Sequence, residues 1–213
     1  MNKILSEIES YGIVPVIVIE DAENAIPLSE ALIEGGLPVA EVTFRTKSAR
    51  ESIERIAKAY PEMLVGAGTV LSVDQVKSAV DAGAKYIISP GLNPKVVEYC
   101  VVNSITITPG IATPSEVERA LEFGLEVVKY FPAESLGGLN YLKAISAPYV
   151  NLRFIPTGGI DEKNLLSYLQ FSKVIACGGS WMVKSDLISN QKFNEIKNLT
   201  AAALKIVKSQ NDL

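Results

Sequence analysis

Eight short apolar runs, each followed by a stretch with apolar residues at three- and four-residue spacing, constrain this chain more than any other feature. They cover residues 13–18, 39–44, 63–69, 86–90, 105–109, 126–131, 153–158 and 174–179. Strand-length runs alternating with helical stretches imply parallel βαβ units. An open doubly wound sheet more often stops at about five or six strands, whereas eight units in this length fit a compact (β/α)8 TIM barrel. With 213 residues, 48% of them hydrophobic, the chain can bury a sizeable core and lies in the range of a one-domain barrel. One barrel domain over residues 1–213 is the expectation, with neither linker nor second domain.

Local signals keep the same register. Thr113-Pro114-Ser115-Glu116 and Asp161-Glu162-Lys163-Asn164 read as N-caps followed by acidic first turns, and Gly35-Gly36, Gly83 and Gly124 as helix stops. Phe193, Ile196, Leu199, Ala203 and Val207 recur on one face of a last helix and predict a packed stripe. Residues 2–11 predict an additional N-terminal helix whose Ile4, Leu5 and Ile8 cover the bottom of the barrel.

Charge and composition narrow the function. The net charge of -4, without any dense Lys/Arg block, gives no footprint for nucleic acid or an anionic membrane, so a small molecule is the expected partner. Acidic residues interrupt Met1-Asn2-Lys3-Ile4-Leu5-Ser6-Glu7-Ile8-Glu9, and no run of about 18 apolar residues occurs, so a cytoplasmic protein is expected. Cys100 and Cys177 form neither a disulfide framework nor a zinc pattern and read as reduced packing residues. Histidine is absent, which removes Ser-His-Asp triads, Cys-His pairs and His-ligated zinc. Proton transfer falls to carboxylates, lysine, tyrosine or water. No Asp/Glu cluster resembles a ligand set, so no metal is expected.

In a barrel of this kind active sites lie at the C-terminal ends of the strands. Lys85 and Lys173 precede strands four and eight and belong at the opposite face, whereas Lys129 lies several residues into strand six, inside Leu125-Glu126-Val127-Val128-Lys129-Tyr130-Phe131-Pro132. Burial disfavours an ammonium and makes a neutral amine available as a nucleophile, the chemistry of an imine-forming lysine. The plainer alternative is a strand-end lysine with its head in water. Strand two ends Glu41-Val42-Thr43-Phe44-Arg45-Thr46, and alternation puts Glu41, Thr43 and, where the strand persists that far, Arg45 on one side. A buried Glu41 could shuttle protons, and Arg45 carries the planar fork that suits a substrate carboxylate; a structural Glu41-Arg45 ion pair is the competing reading.

Strands seven and eight end Pro156-Thr157-Gly158-Gly159-Ile160-Asp161 and Cys177-Gly178-Gly179-Ser180-Trp181. Paired glycines let backbone N–H groups approach an anion, and these two turns form the recurrent phosphate site of such barrels. Either pair alone is explained as well by a tight turn. Gly66-Ala67-Gly68-Thr69 lacks the third glycine of a dinucleotide fingerprint, position 71 being Leu71, so no nicotinamide cofactor is expected there. Thr69 could bind a substrate oxygen.

Taken in order, Glu41-Val42-Thr43-Phe44-Arg45-Thr46, Gly66-Ala67-Gly68-Thr69-Val70, Ile88-Ser89-Pro90-Gly91, Lys129-Tyr130-Phe131-Pro132-Ala133-Glu134, Pro156-Thr157-Gly158-Gly159-Ile160 and Gly178-Gly179-Ser180-Trp181 resemble the 2-keto-3-deoxy-6-phosphogluconate (KDPG) and 4-hydroxy-2-oxoglutarate (KHG) aldolases, nearly end to end. The resemblance implies a metal-free class I aldolase of the Entner–Doudoroff type, needing no cofactor, that splits KDPG into pyruvate and D-glyceraldehyde 3-phosphate. On the matching positions it implies Lys129 as the imine-forming residue and Glu41 as acid/base. Arg45 and Thr69 would hold the pyruvyl carboxylate, Pro90 and Phe131 the wall beside it. Thr157, Gly158, Gly159, Gly178, Gly179 and Ser180 would receive the phosphate. It also implies a homotrimer. Two positions depart from the pattern: Tyr130 follows the lysine and needs a partner for its hydroxyl, and Leu136 stands where some relatives carry a polar residue. Rival readings are an aldolase for the phosphogalactonate epimer, one preferring unphosphorylated KHG, and a phosphosugar isomerase or binding barrel without an imine.

Overall fold

The structure, a computed structural model, describes residues 2–212, with the side chains of 211 and 212 left aside. Met1 and Leu213, within the expected 1–213 span, lie outside the described residues. Eight strands form one sheet: β1 Ile13–Ile17, β2 Val39–Thr43, β3 Leu64–Gly68, β4 Ile87–Ser89, β5 Ile107–Ile111, β6 Val127–Tyr130, β7 Arg153–Pro156 and β8 Cys177–Gly179. Their order is β7-β6-β5-β4-β3-β2-β1-β8, and the paired strands run parallel. Bridges from Phe154 to Val174 and from Thr157 to Gly178 join the two ends, so the sheet is a nearly closed (β/α)8 barrel. Every residue of β2, β3 and β5 is buried, because the interior covers one face and the helices the other. That double coverage is why the strands read as continuous apolar runs.

Among the described residues ten α-helices accompany them: α1 Lys3–Tyr11, α2 Ala25–Glu34, α3 Ala49–Ala59, α4 Val73–Asp81, α5 Pro94–Val102, α6 Pro114–Glu122, α7 Gly138–Ser146, α8 Leu165–Leu169, α9 Ser185–Ser189 and α10 Phe193–Lys208. Helix α1 crosses the bottom as expected. Leu5 and Ile8 are buried, Asn2 caps the helix and donates to Thr106 Oγ1 at 2.9 Å, and Glu9 accepts from Arg153 at 2.6 Å. These contacts tie α1 to the starts of β5 and β7. Lys85 and Lys173 lie at that same end, donating to the Pro61 carbonyl at 2.6 Å and the Tyr149 carbonyl at 2.8 Å. Thr113 and Glu116 form the capping box of α6. Gly35-Gly36, Gly83 and Gly124 follow the ends of α2, α4 and α6.

Three expectations are corrected. Strand five was expected over 105–109, yet β5 runs Ile107–Ile111. Pro109 is tolerated because it pairs with Ser89 of β4, while the ladder to β6 begins only at Gly110. Asp161 does not cap a helix directly. Its carboxylate accepts from Lys163 N–H at 2.8 Å, and its own N–H donates to Asn164 Oδ1 at 2.9 Å. This local turn delays α8 to Leu165. Strand eight, expected from 174, starts at Cys177, since Val174 joins β7 only through a single bridge. The last-helix stripe packs against the core as read, but its fully buried members are Ile196, Thr200 and Ala203. Thr200 fits there because Gly35 offers no side chain: a Cβ on Gly35 would lie 2.8 Å from it.

Both cysteines are free and buried, and burial pushes the Cys100 thiol up to about 12. Among the described residues, no helix is long and apolar enough to cross a membrane, and no group of three or more His, Cys, Asp or Glu could hold a metal ion.

Candidate functional site

Lys129, next to last in β6, and Glu41, in the middle of β2, face each other inside the barrel. Lys129 is 6% exposed and Glu41 1%, and Nζ donates to Oε1 across 3.4 Å. The lysine head is therefore buried, not in water. The contact is longer than the roughly 2.7–2.9 Å of a tight charge-assisted hydrogen bond, so the pair holds together loosely. Phe131 lies beyond, its ring centroid 5.2 Å from Nζ. The alternative Glu41-Arg45 ion pair does not form: Glu41 pairs with Lys129, and Arg45 Nε donates to Thr69 Oγ1 at 3.3 Å.

Missing side chains shape this end as much as present ones. A Cβ on Gly68 would lie 2.1 Å from Glu41 Oε1, and one on Gly66 would lie 2.4 Å from the Tyr86 ring. The two glycines of Gly66-Ala67-Gly68 share the inner face of β3, so the carboxylate and the phenol ring fill the room they leave. Tyr86 is fully buried and donates to the Ala40 carbonyl at 2.8 Å. Burial, and after it the Glu41 carboxylate, hold its phenol well above the usual range. Sequence reading passed over Tyr86; the signal was available in the i, i+2 glycines, which demand a large neighbour.

Pro90 comes over the mouth by the same device. A Cβ on Gly110 would lie 2.0 Å from the Pro90 carbonyl oxygen, and Gly110 pairs in register with Lys129. Ser89 Oγ closes the turn on the Gly91 carbonyl at 2.8 Å. Thr69, just past β3, sits at φ +56, a left-handed conformation costly for a β-branched residue. In this conformation its hydroxyl meets Arg45.

The outer part of the mouth is a cavity of about 610 Å3 lined by Arg45, Phe131, Thr157, Gly158, Gly159, Gly178 and Ser180. Ile160, Val16 near the end of β1, Val18 just past it, and Val183, Lys184, Ser185 and Asp186 after β8 complete the wall; the valines and the residues after β8 were not anticipated. Gly158 and Gly159 adopt φ +99 and +80, so their peptides turn in a way that side-chain-bearing residues resist. Thr157 is 6% exposed and its Oγ1 has no hydrogen-bond partner; a Cβ on Gly178 would lie 2.4 Å from it. An orphan hydroxyl beside a cavity is a donor awaiting an acceptor. Gly179 does not line the cavity: the Trp181 ring occupies the space above it, 2.1 Å from where a Cβ would stand. The Tyr130 hydroxyl finds the Gly138 carbonyl at 3.4 Å outside the barrel, and burial pushes its phenol up to about 12.

The geometry thus joins a buried amine and carboxylate to an arginine and to an exposed, glycine-built concavity suited to an anion. A family model described as KDPG and KHG aldolase matches residues 4–199. The 2-dehydro-3-deoxy-phosphogluconate aldolase of Treponema pallidum is 47% identical over 207 residues, covering 97% of this chain and 99% of that protein. Among solved structures, the KDPG aldolase of Legionella pneumophila, with pyruvate captured at low pH as a covalent carbinolamine intermediate, matches with a TM-score of 0.91 and 39% identity, covering 94% of this chain and 98% of its own. The aldolase of Zymomonas mobilis ZM4 with 3-phosphoglycerate matches with a TM-score of 0.88 and 38% identity over 95% of each chain.

Proposed function

The chain belongs to the KDPG and KHG aldolase family, and on that premise we propose that it cleaves KDPG reversibly through an imine on Lys129. It is a carbon–carbon lyase of the KDPG aldolase type. The observation that carries the mechanistic reading is the buried Lys129–Glu41 pair, 3.4 Å apart at the mouth. The carbinolamine captured in the Legionella pneumophila relative supports it.

The neutral Lys129 amine attacks the C2 ketone, and the carbinolamine loses water to give a protonated imine. Glu41, within reach of Nζ, moves the protons of these steps, partly through water. It then takes the proton of the C4 hydroxyl. The C3–C4 bond breaks, its electrons flow into the imine, and D-glyceraldehyde 3-phosphate leaves behind the enamine of pyruvate. Protonation of that enamine at C3 and hydrolysis of the imine release pyruvate and restore the amine.

In this reading Arg45 and Thr69 hold the carboxylate, and Pro90 and Phe131 form the wall beside it. Thr157, Gly158, Gly159, Gly178 and Ser180 receive the phosphate, while Gly179, off the cavity wall beneath Trp181, stays out of contact. The 3-phosphoglycerate bound by the Zymomonas mobilis relative supports a phosphate end. Anchoring there lets binding far from the scissile bond orient it. Cleavage of KHG to pyruvate and glyoxylate uses the same lysine, and the protein acts as a cytoplasmic homotrimer.

Borohydride reduction in the presence of pyruvate tests the imine. The expected result is a covalent adduct at Lys129 by peptide mass spectrometry. Active protein without mass increase at that residue defeats the imine reading in favour of an isomerase or binding barrel. Comparing turnover of KDPG, its galactonate epimer and KHG tests the substrate, and indifference to phosphate sinks the phosphate assignment.

A further inference from the structure

Glu134 closes the motif that begins with Lys129, yet it takes no part in the chemistry above and does not line the mouth cavity. It borders a separate cleft of about 270 Å3 with Asn164 and Tyr168. Its main chain runs beside the loop after β7: Ala133 N–H donates to the Thr157 carbonyl at 2.8 Å, and Glu134 N–H to the Gly158 carbonyl at 3.0 Å. Its side chain then covers the back of Gly159, where an added Cβ would lie 2.6 Å from Glu134 Cβ and 2.7 Å from Cγ.

The carboxylate ends on α8. Tyr168, 1% exposed, donates its hydroxyl to Glu134 Oε1 at 2.5 Å. Burial, and next this bond, hold the phenol far above its usual range, so it remains a donor. From the other side, Asn164 Nδ2 donates to the Gly159 carbonyl at 2.9 Å. Gly159 is thereby gripped by the loop after β6 and by the turn leading into α8. The grip bears on a residue whose φ of +80 leaves it without a side chain to anchor it.

We infer that Glu134, held by Tyr168, is a positioning residue that fixes Gly159 at the anion-binding loop and so sets the preference for phosphorylated over unphosphorylated keto acids. This rests on the phosphate assignment proposed above. The carboxylate lies on the far side of Gly159 from the cavity and takes a hydrogen bond from the phenol, so it acts through the backbone and not by touching the substrate.

The test uses the full chain and the variants Tyr168→Phe, Glu134→Ala and Glu134→Gln. Steady-state constants are measured with KDPG and with unphosphorylated 2-keto-3-deoxygluconate, and inorganic phosphate serves as a competitive inhibitor. In Y168F and E134A, the KM for KDPG and the inhibition constant of phosphate rise about fivefold to tenfold, as expected for loosening one hydrogen bond. The ratio of kcat/KM between the two substrates falls by the same factor, and E134Q, which keeps the stem and an acceptor for Tyr168, restores it. Equal loss on both substrates, or no change in a folded E134A, overturns the positioning role. Should Y168F not fold, the exposed Glu134 variants still decide. Wild-type protein that ignores inorganic phosphate and treats both substrates alike overturns the phosphate site itself, and the positioning role with it.

Discussion

The two halves of the mouth are built from opposite materials. Around Lys129 and Glu41 the working groups are buried side chains, and glycines at 66, 68 and 110 serve as empty space into which Tyr86, Glu41 and Pro90 fit. Around Gly158 and Gly159 the glycines are themselves the surface, and side chains such as Glu134 and Tyr168 support them from behind. Glycine appears in both halves for different reasons. In the first it yields volume; in the second it yields conformation.

That difference separates the consequences of mutation. In the lysine half, Lys129→Ala is expected to abolish turnover and the borohydride adduct together. Glu41→Gln should lower kcat by about 10²- to 10⁴-fold, the usual contribution of an acid/base group, while pyruvate still forms some adduct. Retained turnover in K129A erases the contrast, because nothing in that half would then be chemical. Next in size is Gly68→Ala, whose Cβ would collide with Glu41. Displacing the carboxylate should cost on the order of 10² in kcat. Overpacking should cost about 1–3 kcal/mol in a thermal or urea melt. An unaltered kcat in G68A means that the carboxylate need not sit where it does.

In the glycine half the effect should move to KM. Thr157→Val removes the unpartnered hydroxyl with little change of shape. KM for KDPG is expected to rise about tenfold, in line with a lost hydrogen bond to a charged group, with kcat changed far less. If kcat falls instead, the halves are not separable. The smallest effect belongs to the opposite end of the barrel. Lys85→Met loses one exposed contact to the Pro61 carbonyl, and stability should stay within about 0.5 kcal/mol of the parent with both kinetic constants intact.

Much of this was legible in the chain because the barrel writes itself in apolar runs, and burial on both faces keeps those runs unbroken. Lys129 and Glu41 were legible because a charge in such a run is expensive and strand alternation fixes its side; Arg45, two residues past the end of β2, was legible only by its place beside the mouth. The end of β5 was misplaced because the apolar run gives out at Pro109 while the strand continues, its ladder to β6 beginning at Gly110. Asp161 misled because its carboxylate found a nearer donor than the helix offered. Lys184 and Tyr168 were not legible: only closure of the barrel brings Lys184 to the cavity wall and Tyr168 to Glu134.

Helix α1, fastened by Asn2 to Thr106 and by Glu9 to Arg153, covers the bottom of the barrel, so among the described residues Lys129 faces the mouth cavity side. For a reaction that makes two products from one substrate, a shared way out imposes a queue. On the proposed chemistry, the aldehyde with its phosphate stands nearest the exit and the pyruvyl group stays tethered at the back of the room. Glyceraldehyde 3-phosphate therefore departs first and pyruvate last, and in the synthetic direction pyruvate must enter before its partner. Product-inhibition patterns should carry the signature of that order.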